Sequence, residues 1–255
     1  MSFRDLHYQA EPLLLCNVWD VPSAMLANKL GFKAAGTSSA ALAHSLGYKD
    51  GEQLAFSILY ERVRRITECV DIPLSVDLEA GYGESSTQVL ENVLALADLG
   101  VVGINIEDSL VGAEVNAERE LVESKKFAGL LDAISLGLKA AGVDVFVNAR
   151  TDVFLLGCDS AVERTVERIQ VYTEAGAHGI FVPCIVREDD IAKVADACSL
   201  PLNVMCMPGL PDFEVLKNSN VKRISMGNFA YNSMVQNLEH SLAKITDAQS
   251  FASLF

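Results

Sequence analysis

The strongest constraint on the fold is a rhythm. Eight short apolar runs recur along the 255 residues, and segments with helical spacing or helix start and stop signals separate them. The runs are Leu13–Trp19, Ala34–Ser39, Leu74–Val76, Gly103–Asp108, Val145–Arg150, Gly179–Val182, Leu202–Cys206 and Arg223–Gly227. Helices are predicted over Ser23–Leu30, Glu52–Val70, Ser86–Leu99, Ala117–Ala141, Asp159–Ala175, Glu188–Cys198 and Phe229–Ile245. A small-residue segment covers Ala40–Leu46, and a short helix surrounds Asp212–Leu216. Ser109–Asn116 shows no strong pattern. Strands buried on both faces and joined by helices form parallel sheets. Eight such units predict a closed (β/α)8 TIM barrel. An open doubly wound sheet would carry G-x-G-x-x-G after its first strand, and none stands there. No linker or composition shift divides residues 1–255, so one barrel domain is expected, with 229–255 as a C-terminal helical segment.

Composition narrows the function classes. The formal charge is −14, which argues against a nucleic-acid surface or binding to anionic lipid. No run approaches a membrane span, and the N-terminus lacks a signal-peptide pattern. The six cysteines form no C-x-x-C pair, so a reduced, cytoplasmic setting is expected.

The chemistry-bearing residues gather at the ends of the predicted strands, the face where barrels of this kind place their sites. Leu74–Gly83 reads LSVDLEAGYG, so an apolar run ends in Asp77 and Glu79 before a glycine-rich turn. On a continuing strand these two acids share a face, about 7 Å apart. Alone they also fit two solvated acids at a strand end. Glu107 and Asp108 end the next strand, and four acids from neighbouring strands can converge on a hard cation. Mg²⁺ suits them best, because it takes few direct carboxylates and keeps its waters. Without H-E-x-x-H or a His/Cys cluster, zinc is not expected. Arg150 can grip a substrate carboxylate or pair with Glu107 or Asp108. Ser38 and Ser39 can offer hydroxyls and N–H groups to an anionic oxygen, or pack closely as small residues. Asn203 is a further strand-end candidate for substrate binding. Asp50 precedes Gly51-Glu52 as a helix N-terminal acid. His44 and His178 have no nucleophile partner at a known spacing.

Five segments together carry a resemblance: Gly36-Thr37-Ser38-Ser39, Gly47-Tyr48-Lys49-Asp50, Val76–Gly83 (VDLEAGYG), Ile104–Asp108 (INIED) and Asn148–Asp152 (NARTD). From about Asn17 to Asn228 the chain resembles the isocitrate lyase/phosphoenolpyruvate mutase superfamily, specifically its small single-barrel, phosphonomutase-like branch. The resemblance implies a Mg²⁺ site for a small 2-oxo acid. The acids matching Asp77, Glu79 and Glu107 surround the metal, and Asp50 joins that cluster in a catalytic role. Arg150 binds the substrate carboxylate, and the Ser38-Ser39 segment holds the pyruvyl oxygens. It also implies a homo-oligomer, a dimer or tetramer. Two departures stand out. The family's metal motif has Asp where this chain has Glu79. The lyases' Lys-Lys/Arg-Cys-Gly-His loop is replaced by Ser109–Asn116, which has no Cys, His or Lys. A lyase or oxaloacetate-type decarboxylase working through a pyruvate enolate is therefore expected ahead of isocitrate cleavage. Phosphonomutase-like P–C chemistry and a non-catalytic binding barrel are the alternatives.

Overall fold

The computed structural model describes residues 1–111 and 119–255. In chain order its strands and helices are β1 (Leu13–Val18), α1 (Val21–Lys29), β2 (Ala35–Thr37), α2 (Ser39–Ser45), α3 (Phe56–Thr67), β3 (Leu74–Asp77), α4 (Ser86–Asp98) and β4 (Gly103–Glu107). Then follow β5 (Ser109–Val111), β6 (Arg119–Leu121), α5 (Ser124–Ala141), β7 (Phe146–Arg150), α6 (Ala161–Glu174) and β8 (Gly179–Val182). The chain closes with α7 (Glu188–Ala197), β9 (Leu202–Met205), α8 (Phe213–Asn218), β10 (Val221–Ser225) and α9 (Phe229–Ala248).

Eight strands form a closed parallel barrel in the order β1-β2-β3-β4-β7-β8-β9-β10, with β10 returning to β1 through Leu13–Leu15 against Arg223–Ser225. The expected (β/α)8 fold is the observed one. Outward residues such as Val76, Ile104, Ile106, Val147 and Val204 are fully buried beneath the helices. The helices present matching apolar faces, as Val89, Val93 and Leu96 do on α4. Local chemistry sets the helix ends. Asp20 and Ser23 form a reciprocal capping box at the start of α1, with Pro22 in its first turn. Ser85 caps α4, and Gly142, at φ 68°, ends α5 in the left-handed conformation.

The lower mouth of the barrel is plugged from the N-terminus. A 3-10 turn at Arg4–Tyr8 places Phe3, Leu6 and His7 against Leu13, Leu15 and Phe146. The His7 ring stacks on Phe146 at 4.1 Å, while Phe3 meets Phe146 edge-on at 5.9 Å.

Two predicted boundaries are corrected. The helix expected from Glu52 begins at Phe56, because Glu52 has φ 56° and its N–H is bound to the Glu79 carboxylate. The helix expected from Ala117 begins at Ser124. Before it, Arg119–Leu121 pairs antiparallel with Ser109–Val111, so part of the patternless segment is one arm of a hairpin. Residues 112–118 of that stretch lie outside the described residues.

Candidate active site

The C-terminal ends of the barrel strands surround a cavity of about 420 Å³, lined by Ser38, Ser39, Asp50, Asp77, Asn105, Arg119 and Arg150, among others. Each side chain reaches it from a short stretch held by its own hydrogen bonds.

Asp77 is the last residue of β3. Its N–H donates to Thr37 Oγ1 at 2.8 Å, which ties the strand end to β2. Its Oδ2 accepts from the Ser39 hydroxyl at 2.9 Å and the Ser39 N–H at 3.3 Å. Its Oδ1 is buried and has no partner among the described residues. Burial pushes this carboxyl above the usual range, with Arg150 and Ser39 opposing and Asp50 adding to the rise. Ser38 has its hydroxyl committed to capping α2 through the Ala41 N–H.

Glu79 does not continue the strand face of Asp77. Strand β3 has ended, and Glu79 sits at φ 48° in the left-handed region. One carboxylate oxygen accepts the Gly51 and Glu52 N–H groups at 2.8 Å each, and the other accepts the Tyr82 hydroxyl at 2.5 Å. Glu79 thereby anchors the turn that carries Asp50. Burial raises its pKa to about 7, and the charges of Asp50 and Asp77 add to the rise. Asp50 itself is half exposed at the rim, 3.9 Å from Arg119.

Glu107 ends β4 and is buried between two guanidiniums. Arg150 Nη1 lies 2.9 Å away, and Arg119 donates to its other oxygen. Burial pushes its carboxyl up, and the two arginines pull it back. Arg150 also clasps Asp152, with Nε at 2.6 Å and Nη2 at 3.2 Å. Ser109 donates to Asp152 at 2.5 Å, so the hairpin joins this network. The alternative partner considered for Arg150, Asp108, faces away. It accepts from Arg168 at 2.8 Å and Tyr172 at 2.6 Å behind the barrel wall, and it also accepts the Asp152 N–H. The expected gathering of four acids therefore excludes Asp108.

Asn203 lies beneath the cavity and does not line it. Its amide is used inside the barrel by Asn148, Ser225 and two backbone carbonyls. Among the lining residues that escaped the sequence reading are Arg119 and Asn105. Arg119 sits in a stretch predicted helical, and its only signal was a lone cation among the acids of Glu114–Glu123. Asn105 precedes Glu107 by two positions, so strand alternation puts both on the inner face. Asp50 and Asp77 line the cavity with Arg119 and Arg150, and Glu79, Glu107 and Asp152 are buried behind them, so the cluster as a whole holds five carboxylates against two guanidiniums. That imbalance favours a cation.

A closed (β/α)8 barrel with acids and arginines at its strand ends defines the class, and comparison with known proteins gives the family. The phosphoenolpyruvate phosphomutase family model matches residues 3–246, and the chain belongs to that family. It is 34% identical to an uncharacterized protein of Mycobacterium tuberculosis, over 98% of this chain and 90% of the relative. It is 30% identical to the oxaloacetate decarboxylase of Paraburkholderia xenovorans, over 94% of this chain and 79% of that enzyme. The structure of 2,3-dimethylmalate lyase, a PEP mutase/isocitrate lyase superfamily member, superposes with a TM-score of 0.85 at 21% identity, covering 98% of this chain and 87% of that one.

Proposed function

We propose that this chain is a Mg²⁺-dependent carbon–carbon lyase, of oxaloacetate-decarboxylase type, acting on a small 2-oxo acid. The observation that carries the reading is Asp77, whose buried Oδ1 has no partner among the described residues and which shares one cavity with Arg150 and Arg119. A carboxylate oxygen in that setting calls for a cation, and guanidiniums beside it call for an anionic substrate.

The donor set fits Mg²⁺. Among the described residues no three acids form a ready-made cage, and Mg²⁺ needs none, since it binds through one or two carboxylates and retains water. Asp77 and Asp50 would hold it, with Glu79 and Glu107 reaching it through water. When bound, the ion would supply electrophilic stabilisation of negative charge on the 2-oxo oxygen.

The chain's own groups do the rest. Arg150 donates two of its five N–H groups to Asp152 and pairs through Nη1 with Glu107, so N–H groups remain for a substrate carboxylate. Arg119 adds a second positive charge opposite. Glu107 and Asp152 fix both guanidiniums in place before substrate arrives, so orientation is prepared in advance. Loss of CO₂ leaves its bonding electrons on the adjacent carbon as an enolate, which takes a proton there from solvent water to become the 2-oxo product. This step demands no side-chain acid at the bond that breaks, consistent with a segment 109–116 free of Cys, His and Lys. A coupled assay of pyruvate release from a panel of 2-oxo acids, with and without Mg²⁺, tests the reading. Mg²⁺-dependent release supports it, and no release from any member supports a binding barrel without turnover. Phosphonomutase chemistry is the second reading, because two guanidiniums would suit a phosphonate dianion. Phosphorus NMR on phosphonopyruvate decides that point.

We also propose a homo-oligomer in a reducing, cytoplasmic setting. The exposed Met234, Leu238 and Leu242 on α9 support the first, and six unpaired cysteines support the second.

A further inference from the structure

Beneath the cavity the barrel interior holds a chain of amides. Arg223, on β10, is fully buried and donates Nη2 to Asn105 Oδ1 at 3.1 Å. Asn148 Nδ2 donates to the same Oδ1 at 2.9 Å and to Asn203 Oδ1 at 3.1 Å. Asn203 Nδ2 in turn donates to the backbone carbonyls of Val204 and Arg223, at 2.7 and 3.2 Å.

The polarity of this chain is forced at both ends. A guanidinium only donates, so the Asn105 atom facing Arg223 must be oxygen. Carbonyls only accept, so the Asn203 atom facing them must be nitrogen. Each intermediate amide then has one consistent orientation. With its oxygen held by two donors, Asn105 must turn its NH₂ group the other way. Asn105 lines the cavity beside Asp77, its register partner on β3. Its Nδ2 makes no hydrogen bond among the described residues, on a side chain that lines the cavity.

We propose that Asn105 is a substrate-binding residue, an N–H donor aimed at an oxygen of the anionic substrate, and that Arg223 is the positioning residue that fixes its polarity from below. This rests on the 2-oxo acid reading and deepens it. The site would gain a neutral donor beside the acid cluster, at a point where a cation would attract the acids and an acceptor would repel the substrate. It would discriminate for ligands that place an oxygen opposite β4 and against those that place a donor there.

The test is calorimetric titration with oxalate, an enolate mimic, in Mg²⁺ buffer. Asn105→Leu removes the donor without adding charge, and binding should weaken at least about tenfold, the loss of a hydrogen bond to a charged group. Wild-type affinity in Asn105→Leu overturns the proposal. Arg223→Lys keeps a donor-only cation, whereas Arg223→Gln can present either an oxygen or a nitrogen. Arg223→Lys should therefore bind oxalate more tightly than Arg223→Gln, and equal binding overturns the positioning role. A ligand-free comparison separates this inference from the functional reading. Asn105→Asp keeps an oxygen toward Arg223 and Asn148, so it should melt at a higher temperature than Asn105→Leu. The reverse order overturns the assigned polarity. Failure of the wild type to bind oxalate overturns the 2-oxo acid reading, and the melting order still decides the amide.

Discussion

Lowering the pH from 7 to 5 should destabilise this barrel through one residue at its lower mouth. His7 is 1% exposed, stacked on Phe146, with Nδ1 3.0 Å from the Phe3 carbonyl and Nε2 without a partner among the described residues. Burial, with the nearby Arg223 charge second, lowers its pKa from 6.5 to about 3. The folded state therefore refuses a proton that the unfolded chain accepts. Stability is full above the unfolded pKa of 6.5 and is lost progressively as the pH falls toward 3. At pH 5 the unfolded histidine is almost wholly protonated and the folded one hardly at all, a difference of about 2 kcal/mol. For a chain of this size that corresponds to about 4–8 °C in Tm. Other groups titrate over the same range, among them Glu79 at about 7 and His178, whose pKa burial also lowers. The measurement is consequently a comparison with His7→Phe, which keeps the stack and removes the proton site. Urea unfolding at pH 7 and pH 5 should show the wild type losing about 2 kcal/mol more than the variant. Parallel losses in the two proteins would refute the buried, neutral His7.

Arg168→Met should be severely destabilising, by about 3–5 kcal/mol, because it strips the guanidinium from the fully buried Asp108 carboxylate; chemical unfolding measures it. Gly103→Ala puts a methyl 2.7 Å from the Phe3 ring and 3.3 Å from the Phe146 carbonyl, so a loss of about 1–3 kcal/mol is expected. Gly129→Ala meets nothing within 4 Å inside α5, so it should gain about 0.5–1 kcal/mol, and the two glycine variants compared in one thermal scan should move in opposite directions. Arg119→Met should raise the KM for a 2-oxo acid at least about tenfold, since a charge-assisted contact is lost, and steady-state kinetics read it. An unchanged KM would remove Arg119 from the binding face.

The barrel was legible because its strands are buried on both faces, so each reads as an unbroken apolar run punctuated by glycine, proline or a capping residue. Asp77, Glu107 and Arg150 could be picked out because they interrupt those runs where apolar burial ends. Glu79 was seen but misplaced: alternation holds only while the backbone stays extended, and its left-handed φ turns the side chain toward the Gly51 and Glu52 N–H groups. Asn203 and Asn105 look equivalent on paper. The stagger of the strands decides which level of the interior each occupies, and that lies in the pairing between distant segments. Arg119 was hidden for a related reason, because a three-residue strand has too little alternation to show itself and exists only through its partner, Ser109–Val111. The Asn105–Asn148–Asn203 polarity is wholly tertiary, since it depends on a guanidinium 118 residues away from Asn105.

The central claim is that Asp77 and its neighbours form a cation-dependent site for a 2-oxo acid. Calorimetric titration of oxalate into wild type and Asp77→Asn, each with and without Mg²⁺, tests it most directly. Asparagine keeps the size of the side chain but loses the charge of the buried oxygen that has no partner among the described residues. The expected result is oxalate binding that requires Mg²⁺ in the wild type and is lost in Asp77→Asn. Binding that is indifferent to Mg²⁺, or unchanged in Asp77→Asn, would contradict the claim.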